Sequence, residues 1–373
     1  MSTKQPLRIL VAPLDWGMGH TTRCIPIIHQ ILHLGHIPVF AGNEFQCSYI
    51  EETFGVIENI HLKGYNILFP GGIIPLIKQI PGILGSIKKE HKWLLHNVQK
   101  LKINGIISDN RYGLYHPEIP NVILTHQLRI QSGIGNFADT IIQNLHYRFL
   151  QRFNEQWIVD NPDERNIAGK LSHPEKLPTT TKFIGLLSRF NSTLSTKEVA
   201  NNLLIILSGP EPQRTILSDK LWQQIQTFKG SIVFIEGTQN KKSDRIATKN
   251  IRHFDYLTHE AMAPLLHESE IVICRSGYST IMDLLAMGKK AILIPTPGQT
   301  EQEYLGKYLN DSGIFLCMSQ ETFDLQKAVD TCKQISFNKP TTKNDFNLFI
   351  PTLEQWLDDI SECKSTGSYQ KII

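Results

Sequence analysis

Cys274-Arg275-Ser276-Gly277-Tyr278-Ser279-Thr280-Ile281-Met282-Asp283 joins an apolar run, Ile271-Val272-Ile273, to a helical pattern that stops at Gly288. A strand that enters a small-residue turn and then a helix makes an anion site. The first backbone N–H groups of the helix lack internal partners, and that helix end is positive. Ser276, Ser279 and Thr280 add hydroxyl donors, and Asp283, three residues past Thr280, shares its helix face. A carboxylate is unfavourable beside a phosphate, but about one turn further along it suits the paired hydroxyls of a ribose. Phosphate donors with a diol acceptor point to a nucleotide. The plain alternative is an ordinary βα turn of an α/β domain.

A second Gly-rich turn follows the first apolar run, Leu7-Arg8-Ile9-Leu10-Val11-Ala12. After Pro13-Leu14-Asp15-Trp16-Gly17-Met18-Gly19-His20, residues Ile25, Ile28, Ile31 and Leu32 recur at helical spacing up to Gly35. Gly17 and Gly19 match only the front of a dinucleotide fingerprint, because Thr22 occupies the place of the third glycine, so an NAD site is disfavoured. His20 stands at the helix start, where a ligand would approach, and an imidazole can take a proton near neutral pH. It is either a general base or a histidine that packs the turn. A third turn, Ser208-Gly209-Pro210-Glu211-Pro212-Gln213-Arg214, ends the run Leu204-Ile205-Ile206-Leu207. Gly209 admits close backbone approach, and Arg214 either forks onto a diphosphate or faces solvent.

The elements that must position these residues form two α/β halves. Strands are predicted at 7–12, 37–42, 104–108, 121–125, 156–160 and 181–185, then at 202–208, 230–235, 250–254, 270–274, 290–294 and 314–318. Helical segments separate most of them, which implies parallel sheets with right-handed crossovers. Ligands of such sheets lie at the carboxyl ends of the strands, where the Gly-rich turns sit. The expected organisation is two Rossmann-like domains, 1–186 and 187–348, with a terminal helix and tail at 349–373. The polar stretch Leu186 to Val199 is the expected boundary.

Composition restricts the function. The 373 residues suffice for two cored domains, and a formal net charge of +3 carries no nucleic-acid signature. The six cysteines are scattered without a Cys-x-x-Cys pair, so neither zinc nor a disulfide framework is expected. No signal peptide is read at the polar start, and no apolar run approaches the ~20 residues that span a bilayer. The segment from Tyr65 to Trp93 mixes Ile, Leu and Phe with Lys78, Lys88, Lys89 and Lys92, a composition that suits an anionic membrane surface. Its prolines and glycines, Pro70, Gly71, Gly72, Pro75, Pro81 and Gly82, argue against one continuous helix. The alternative is a core helix with a solvated basic edge.

Together the turns resemble the GT-B glycosyltransferases of family 28, the group that contains the peptidoglycan N-acetylglucosaminyltransferase and the monogalactosyldiacylglycerol synthases. Ile271 to Gly277, Thr280, Asp283, Ala286 and Gly288 match the donor-site strand and helix of that family, and Ala291 to Pro295 its next strand. Gln299, Glu301, Gln302 and Glu303 fall where the family has a Gln pair. Asp283 replaces the more usual Glu, and Glu303 replaces the second Gln, which leaves the donor sugar open. The resemblance implies that His20 is the base for the acceptor hydroxyl and that His126 and Gln127, after the strand at 121–125, lie near the acceptor with Gly17 and Gly19. Asp109 either orients a histidine or is a plain strand-end turn residue. Tyr256 and Leu257 match where relatives cradle uracil, and Gly209 and Arg214 sit beside the diphosphate. The helix around Phe349 to Glu362 is expected to return to the first domain.

The function implied is metal-independent, inverting transfer of a hexosyl group, N-acetylglucosamine favoured, from a UDP-sugar without further cofactor. The implied acceptor is a glycolipid, lipid-linked or cell-envelope glycan at the cytoplasmic face of the membrane. Ser276, Ser279, Thr280, the helix N-terminus and Arg275 would stabilise the leaving diphosphate, with loop bracing as the competing role of Arg275. Two other classes share the fold: a UDP-sugar 2-epimerase and a non-catalytic nucleotide-sugar binder.

Overall fold

The computed structural model describes residues 5–65, 73–130, 135–190, 200–238 and 245–366. The chain divides into two compact units. One comprises most of the chain up to Arg189 together with the residues from Thr342 onward, and the other is built on Phe190–Thr341.

The first unit runs β1 (Arg8–Pro13), α1 (Gly19–His33), β2 (Ile37–Gly42), α2 (Glu44–Phe54), β3 (Glu58–His61), α3 (Ile73–Asn97), β4 (Gly105–Asp109), β5 (Asn121–Thr125), α4 (Asn136–Leu150), β6 (Glu155–Ile158) and β7 (Thr181–Phe183). Its seven strands are ordered β3-β2-β1-β4-β5-β6-β7, and each pair is parallel. Every residue of β4 and β5 is buried, as expected of strands covered on both faces. The order reverses between β1 and β4, so the crevice beyond their carboxyl ends is the switch point where ligands of open α/β sheets bind. The sequence reading lacked β3, an edge strand whose Glu58-Asn59-Ile60-His61 has no apolar run. It is held through the register Val39↔Glu58 and a 2.7 Å ion pair between Arg8 and Glu58.

Local chemistry fixes the loop after β1. Asn43 caps α2: its side chain accepts from Gln46 N at 2.9 Å, and the Gln46 side chain accepts from Asn43 N at 3.0 Å. Gln46 Nε2 then donates to Leu14 O at 3.0 Å and Thr21 Oγ1 at 2.9 Å. The cap of one helix thus braces both sides of the Gly-rich turn that opens another. Gly17 turns that loop with φ of +74°, a conformation that favours glycine.

The helix α3 corrects the sequence reading, because it runs as one helix through Pro81. Proline removes one backbone donor but need not end a helix whose inner face is packed. Ile87, Glu90, Leu94 and Val98 face inward, and Lys88, Lys89 and Lys92 face solvent. Trp93 packs on the core cluster of Leu94 and Val98. From Ile87 onward the segment is therefore a core helix with a solvated basic edge; residues 79–86 are half-buried or exposed, and residues 66–72 lie outside the described residues. No helix among the described residues is long and apolar enough to cross a membrane.

The second unit runs β8 (Asn201–Ile206), α5 (Gln213–Ile225), β9 (Ile232–Ile235), β10 (Ile251–Phe254), α6 (His259–Glu268), β11 (Ser269–Cys274), α7 (Tyr278–Ala286), β12 (Lys290–Leu293), α8 (Thr300–Asp311), β13 (Leu316–Cys317) and α9 (Leu325–Gln334). Its six parallel strands are ordered β10-β9-β8-β11-β12-β13, with the switch point between β8 and β11. Leu203, Ile205, Phe234, Ile271, Ile273 and Ile292 form one core with Leu217 and Leu221 of α5 and Val329 of α9.

The last element, α10 (Phe349–Thr366), belongs to the first unit. Trp356 lies edge-on to Trp157 at 5.7 Å, and Gln30 donates to Glu354 at 3.0 Å. A Cβ on Gly105 would meet Trp356 at 2.6 Å, so the close approach needs glycine there. The division falls at Thr342, ahead of α10, because the 3₁₀ turn Lys343–Phe346 is already tied to the first unit: Leu186 N donates to Asp345 O at 2.8 Å. Gly185 makes that seam with φ of +74°, and a Cβ there would stand 2.2 Å from Asp345 O. Gly185→Ala is expected to cost about 2 kcal/mol or more of stability, read as a lower urea midpoint at unchanged slope.

Candidate active site

The first cluster gathers at the switch point of the first sheet. β1 leads into the Gly-rich loop and α1, which presents His20 and, one turn on, Arg23. β4 ends at Asp109, and His126 follows β5. Asp109 is fully buried, and Arg23 and His126 are 1 % and 4 % exposed. The Asp109 carboxylate lies 3.0 Å from Nδ1 of His20 and accepts from Arg23 Nε at 2.6 Å, and Arg23 Nη2 bonds its other oxygen. Arg23 Nη1 donates to Nδ1 of His126 at 3.0 Å.

Arg23 Nη2 also lies 2.9 Å from Nδ1 of His20. A guanidinium can only donate, and the anionic carboxylate is the stronger claimant for the imidazole proton. We therefore assign the proton to Nδ1, donated to Asp109, which leaves the Nε2 lone pair as the basic site. Burial pushes the Asp109 carboxyl up, but Arg23 and His20 outweigh it and hold it at about 2, so it is ionised throughout the neutral range. Burial lowers the His20 pKa below its ordinary value; Asp109 opposes this and Arg23 adds to it. The imidazole is consequently neutral at pH 7, as a proton acceptor must be.

Sequence reasoning put His20 and His126 on the acceptor side, left Asp109 as either an orienting group or a strand-end turn residue, and gave Arg23 no role. An arginine inside Thr22-Arg23-Cys24-Ile25, on a helix whose next residues are core, was the available signal. The Gln127 backbone is used structurally: its carbonyl accepts from Nε2 of His146 at 3.0 Å. His146 is 6 % exposed, and burial lowers its pKa to about 4. The folded form binds this proton less readily than the unfolded chain, so stability is full above pH 6.5 and falls as pH drops towards 4. The expected loss from this group is about 3 kcal/mol across that window. His146→Gln should flatten the dependence of urea midpoint on pH.

The second cluster surrounds the switch point of the other sheet. Gly277 is the N-cap of α7 and has no side chain to cap the first turn. Ser279 and Thr280 on that turn are half-buried, and Asp283 is 6 % exposed on the same helix. Gly209, at φ of +103°, lies within the loop after β8, and the Thr296 hydroxyl would stand 3.6 Å from a Cβ there. Tyr256 and Leu257 follow β10 at its carboxyl end, both half-buried.

Several of the expected donor-site residues also bond the scaffold. Arg275 is 1 % exposed and donates to three backbone carbonyls, Ile294 at 3.2 Å, Pro295 at 3.1 Å and Gln213 at 2.7 Å. It clamps the strand ends, the bracing role. Ser276 Oγ donates to Gln302 O at 2.8 Å, and Gln302 Oε1 accepts from Thr296 N at 2.9 Å. Arg214 pairs with Glu211 and donates to Gly237 O at 2.6 Å, so its guanidinium already has an internal anion. Glu303 accepts from Gly298 N at 2.7 Å and closes the loop before α8, whose N-cap is Gln299. Ser279, Thr280 and Asp283 are carried by α7.

The family model for the glycosyltransferase family 28 C-terminal domain matches residues 211–353. A UDP-N-acetylglucosamine–N-acetylmuramyl-(pentapeptide) pyrophosphoryl-undecaprenol N-acetylglucosamine transferase of Histophilus somni is 38 % identical over 292 residues, 76 % of each chain. The chain belongs to glycosyltransferase family 28. The corresponding transferase of Mannheimia succiniciproducens is 34 % identical over 210 residues, so that alignment spans about half of each chain, 56 %. Among solved structures, the glycosyltransferase SnogD of Streptomyces nogalater superposes with TM-score 0.60 at 12 % identity, over 97 % of this chain and 98 % of that one. MurG of Acinetobacter baumannii gives 0.51 at 14 % identity, over 96 % and 99 %. This likeness identifies the GT-B fold. The family model begins at Glu211, so in this family 28 glycosyltransferase it takes in the α7 cluster and leaves the His20 cluster outside.

Proposed function

We propose that this family 28 chain is an inverting transferase that moves N-acetylglucosamine from its UDP-sugar to a hydroxyl of a lipid-linked glycan at the cytoplasmic face of the membrane. The observation that carries the reading is the pairing of half-buried His20 with the buried, ionised Asp109 at the switch point of the first sheet. The named relatives act with UDP-N-acetylglucosamine and a pyrophosphoryl-undecaprenol acceptor, which supports the donor and the class of acceptor. The basic edge of Lys88, Lys89 and Lys92 supports attraction to an anionic bilayer.

In the proposed reaction Nε2 of His20 takes the proton of the acceptor hydroxyl as its oxygen attacks the anomeric carbon. The bond from that carbon to the diphosphate breaks, and UDP leaves with the electron pair. The imidazolium is stabilised through Nδ1–H by Asp109. The diphosphate gains charge, which the N-terminus of α7 and the hydroxyls of Ser279 and Thr280 offset, so no metal is required. Asp283 holds the ribose diol. Glu303, where relatives have Gln, is tied to Gly298 N and contributes to sugar choice through the loop it closes.

The test is thermal stabilisation by UDP, UDP-GlcNAc, UDP-Gal, UDP-Glc, GDP and NAD in the presence of a chelator. Ligand at 100 times its Kd adds about 2.7 kcal/mol of stability, a rise in Tm of several degrees. UDP and UDP-GlcNAc are expected to stabilise. Stabilisation by GDP or NAD alone would overturn the donor assignment, and UDP-sugar epimerisation without acceptor would establish the 2-epimerase instead.

A further inference from the structure

The dyad is not isolated, because a single guanidinium lies against both of its members and His126. We propose that Arg23 is the positioning residue of this site. It engages both oxygens of Asp109 and Nδ1 of His126, fixes the plane of the His20 imidazole, and cancels the carboxylate charge behind it. The inference rests on the reading of His20 as the base and adds to it a residue that touches neither substrate.

Geometry makes the case. Asp109 is fully buried, and a buried carboxylate with only a neutral imidazole for company would draw a proton onto that imidazole and hold it there. Arg23 sits one helical turn from His20, so both side chains leave the same face of α1 and reach the end of β4 together. The fork of the guanidinium is planar, which lets Nε and Nη2 grip the carboxylate while Nη1 reaches across to β5. A lysine could neutralise Asp109 but could not hold three groups in one plane.

The charged and titratable groups facing His20 are Arg23 on its own helix, Asp109 at the end of β4, and His126 after β5. Cys24 Sγ lies 3.9 Å from Asp109, and burial raises both the Cys24 thiol and the Tyr112 hydroxyl, so both remain protonated across the working range. Arg23 and Asp109 are one cation and one anion, so the imidazole of His20 stands beside a compensated pair. It can take a proton during the reaction and release it afterwards.

The experiment follows the His20 imidazole by NMR through a pH titration of the full chain, with the resonance assigned from its loss in His20→Gln. Arg23→Met is expected to move the midpoint upward by about 1 in pH, a tenfold gain in proton affinity, because the carboxylate is no longer compensated. The double variant Arg23→Met with Asp109→Asn removes both charges, keeps the interior neutral if the single variant fails to fold, and should show no upward movement. Arg23→Lys should hold the wild-type midpoint yet lower kcat about tenfold at unchanged KM, since charge is kept and the fork is lost. An unmoved midpoint in Arg23→Met overturns the charge role. Full turnover in Arg23→Lys overturns the positioning role. The titration needs no substrate, so it stands apart from the turnover loss of His20→Ala that tests the base itself.

Discussion

His20→Ala is expected to lower kcat roughly 10²- to 10⁴-fold, the usual worth of a positioned general base, with donor KM little changed. The substitution removes the Nε2 lone pair and leaves α7, its first-turn hydroxyls and Asp283 untouched. Asp109→Asn should approach the same loss without removing the imidazole. An amide in that place would point its NH2 group at Nδ1 of His20, which then becomes the acceptor, and the ring proton moves to Nε2. The tautomer so formed has no lone pair where the acceptor hydroxyl needs one. The pH profile supplies the sign. Burial lowers the His20 pKa, so the acid limb of kcat/KM should lie below 6.5, with activity falling as pH drops through it. Rapid-mix turnover of a UDP-sugar with a lipid-linked acceptor, across pH 5 to 9, measures both effects. Wild-type turnover in His20→Ala would remove the proposed base altogether.

The largest stability loss is expected from Arg111→Leu. Arg111 is fully buried and donates to Glu90 Oε1 at 2.5 Å, to Lys63 O at 2.7 Å and to Pro13 O at 3.4 Å. Glu90, on the inner face of α3, accepts also from the Tyr65 hydroxyl at 2.7 Å and Gly113 N at 3.0 Å. Removing the guanidinium leaves a buried carboxylate with only two neutral donors, a loss of about 3–5 kcal/mol. That is a large share of the 5–15 kcal/mol typical of a domain. The double variant Arg111→Leu with Glu90→Leu should recover most of it, because no unpaired charge remains. Urea unfolding of the three proteins decides the matter, and a double variant no better than the single would show that the backbone carbonyls, not the ion pair, hold this corner.

Most strands were legible because parallel sheets bury both faces, which writes them as short apolar runs such as Leu203 to Leu207. β3 was illegible for the converse reason: it pairs on one side only and carries Glu58, Asn59 and His61. The continuity of α3 through Pro81 was hidden because its inner residues, not local propensity, decide the matter. At the site, residue type announced where polar chemistry lies but not what each group faces. Arg275 read as a diphosphate ligand or a loop brace and Arg214 as a diphosphate ligand or a solvent-facing residue, and residue type could not show that carbonyls and a nearby carboxylate bond them. Arg23 read as an ordinary helix residue, and only the fold brings Asp109 and His126 to it from 86 and 103 positions away in the chain.

The placement of α10 has a consequence for biosynthesis. β7 closes the first sheet before the second unit begins, but the helix that covers Gly105 and Trp157 is translated after the whole of that unit. A nascent chain therefore carries an uncapped, apolar flank through the synthesis of some 150 further residues. Early folding of the second unit shortens the loop across which α10 must return, so the second unit acts as an internal clamp for the maturation of the first. Chains arrested before Phe349 should be held by chaperones, and release should coincide with the emergence of Trp356.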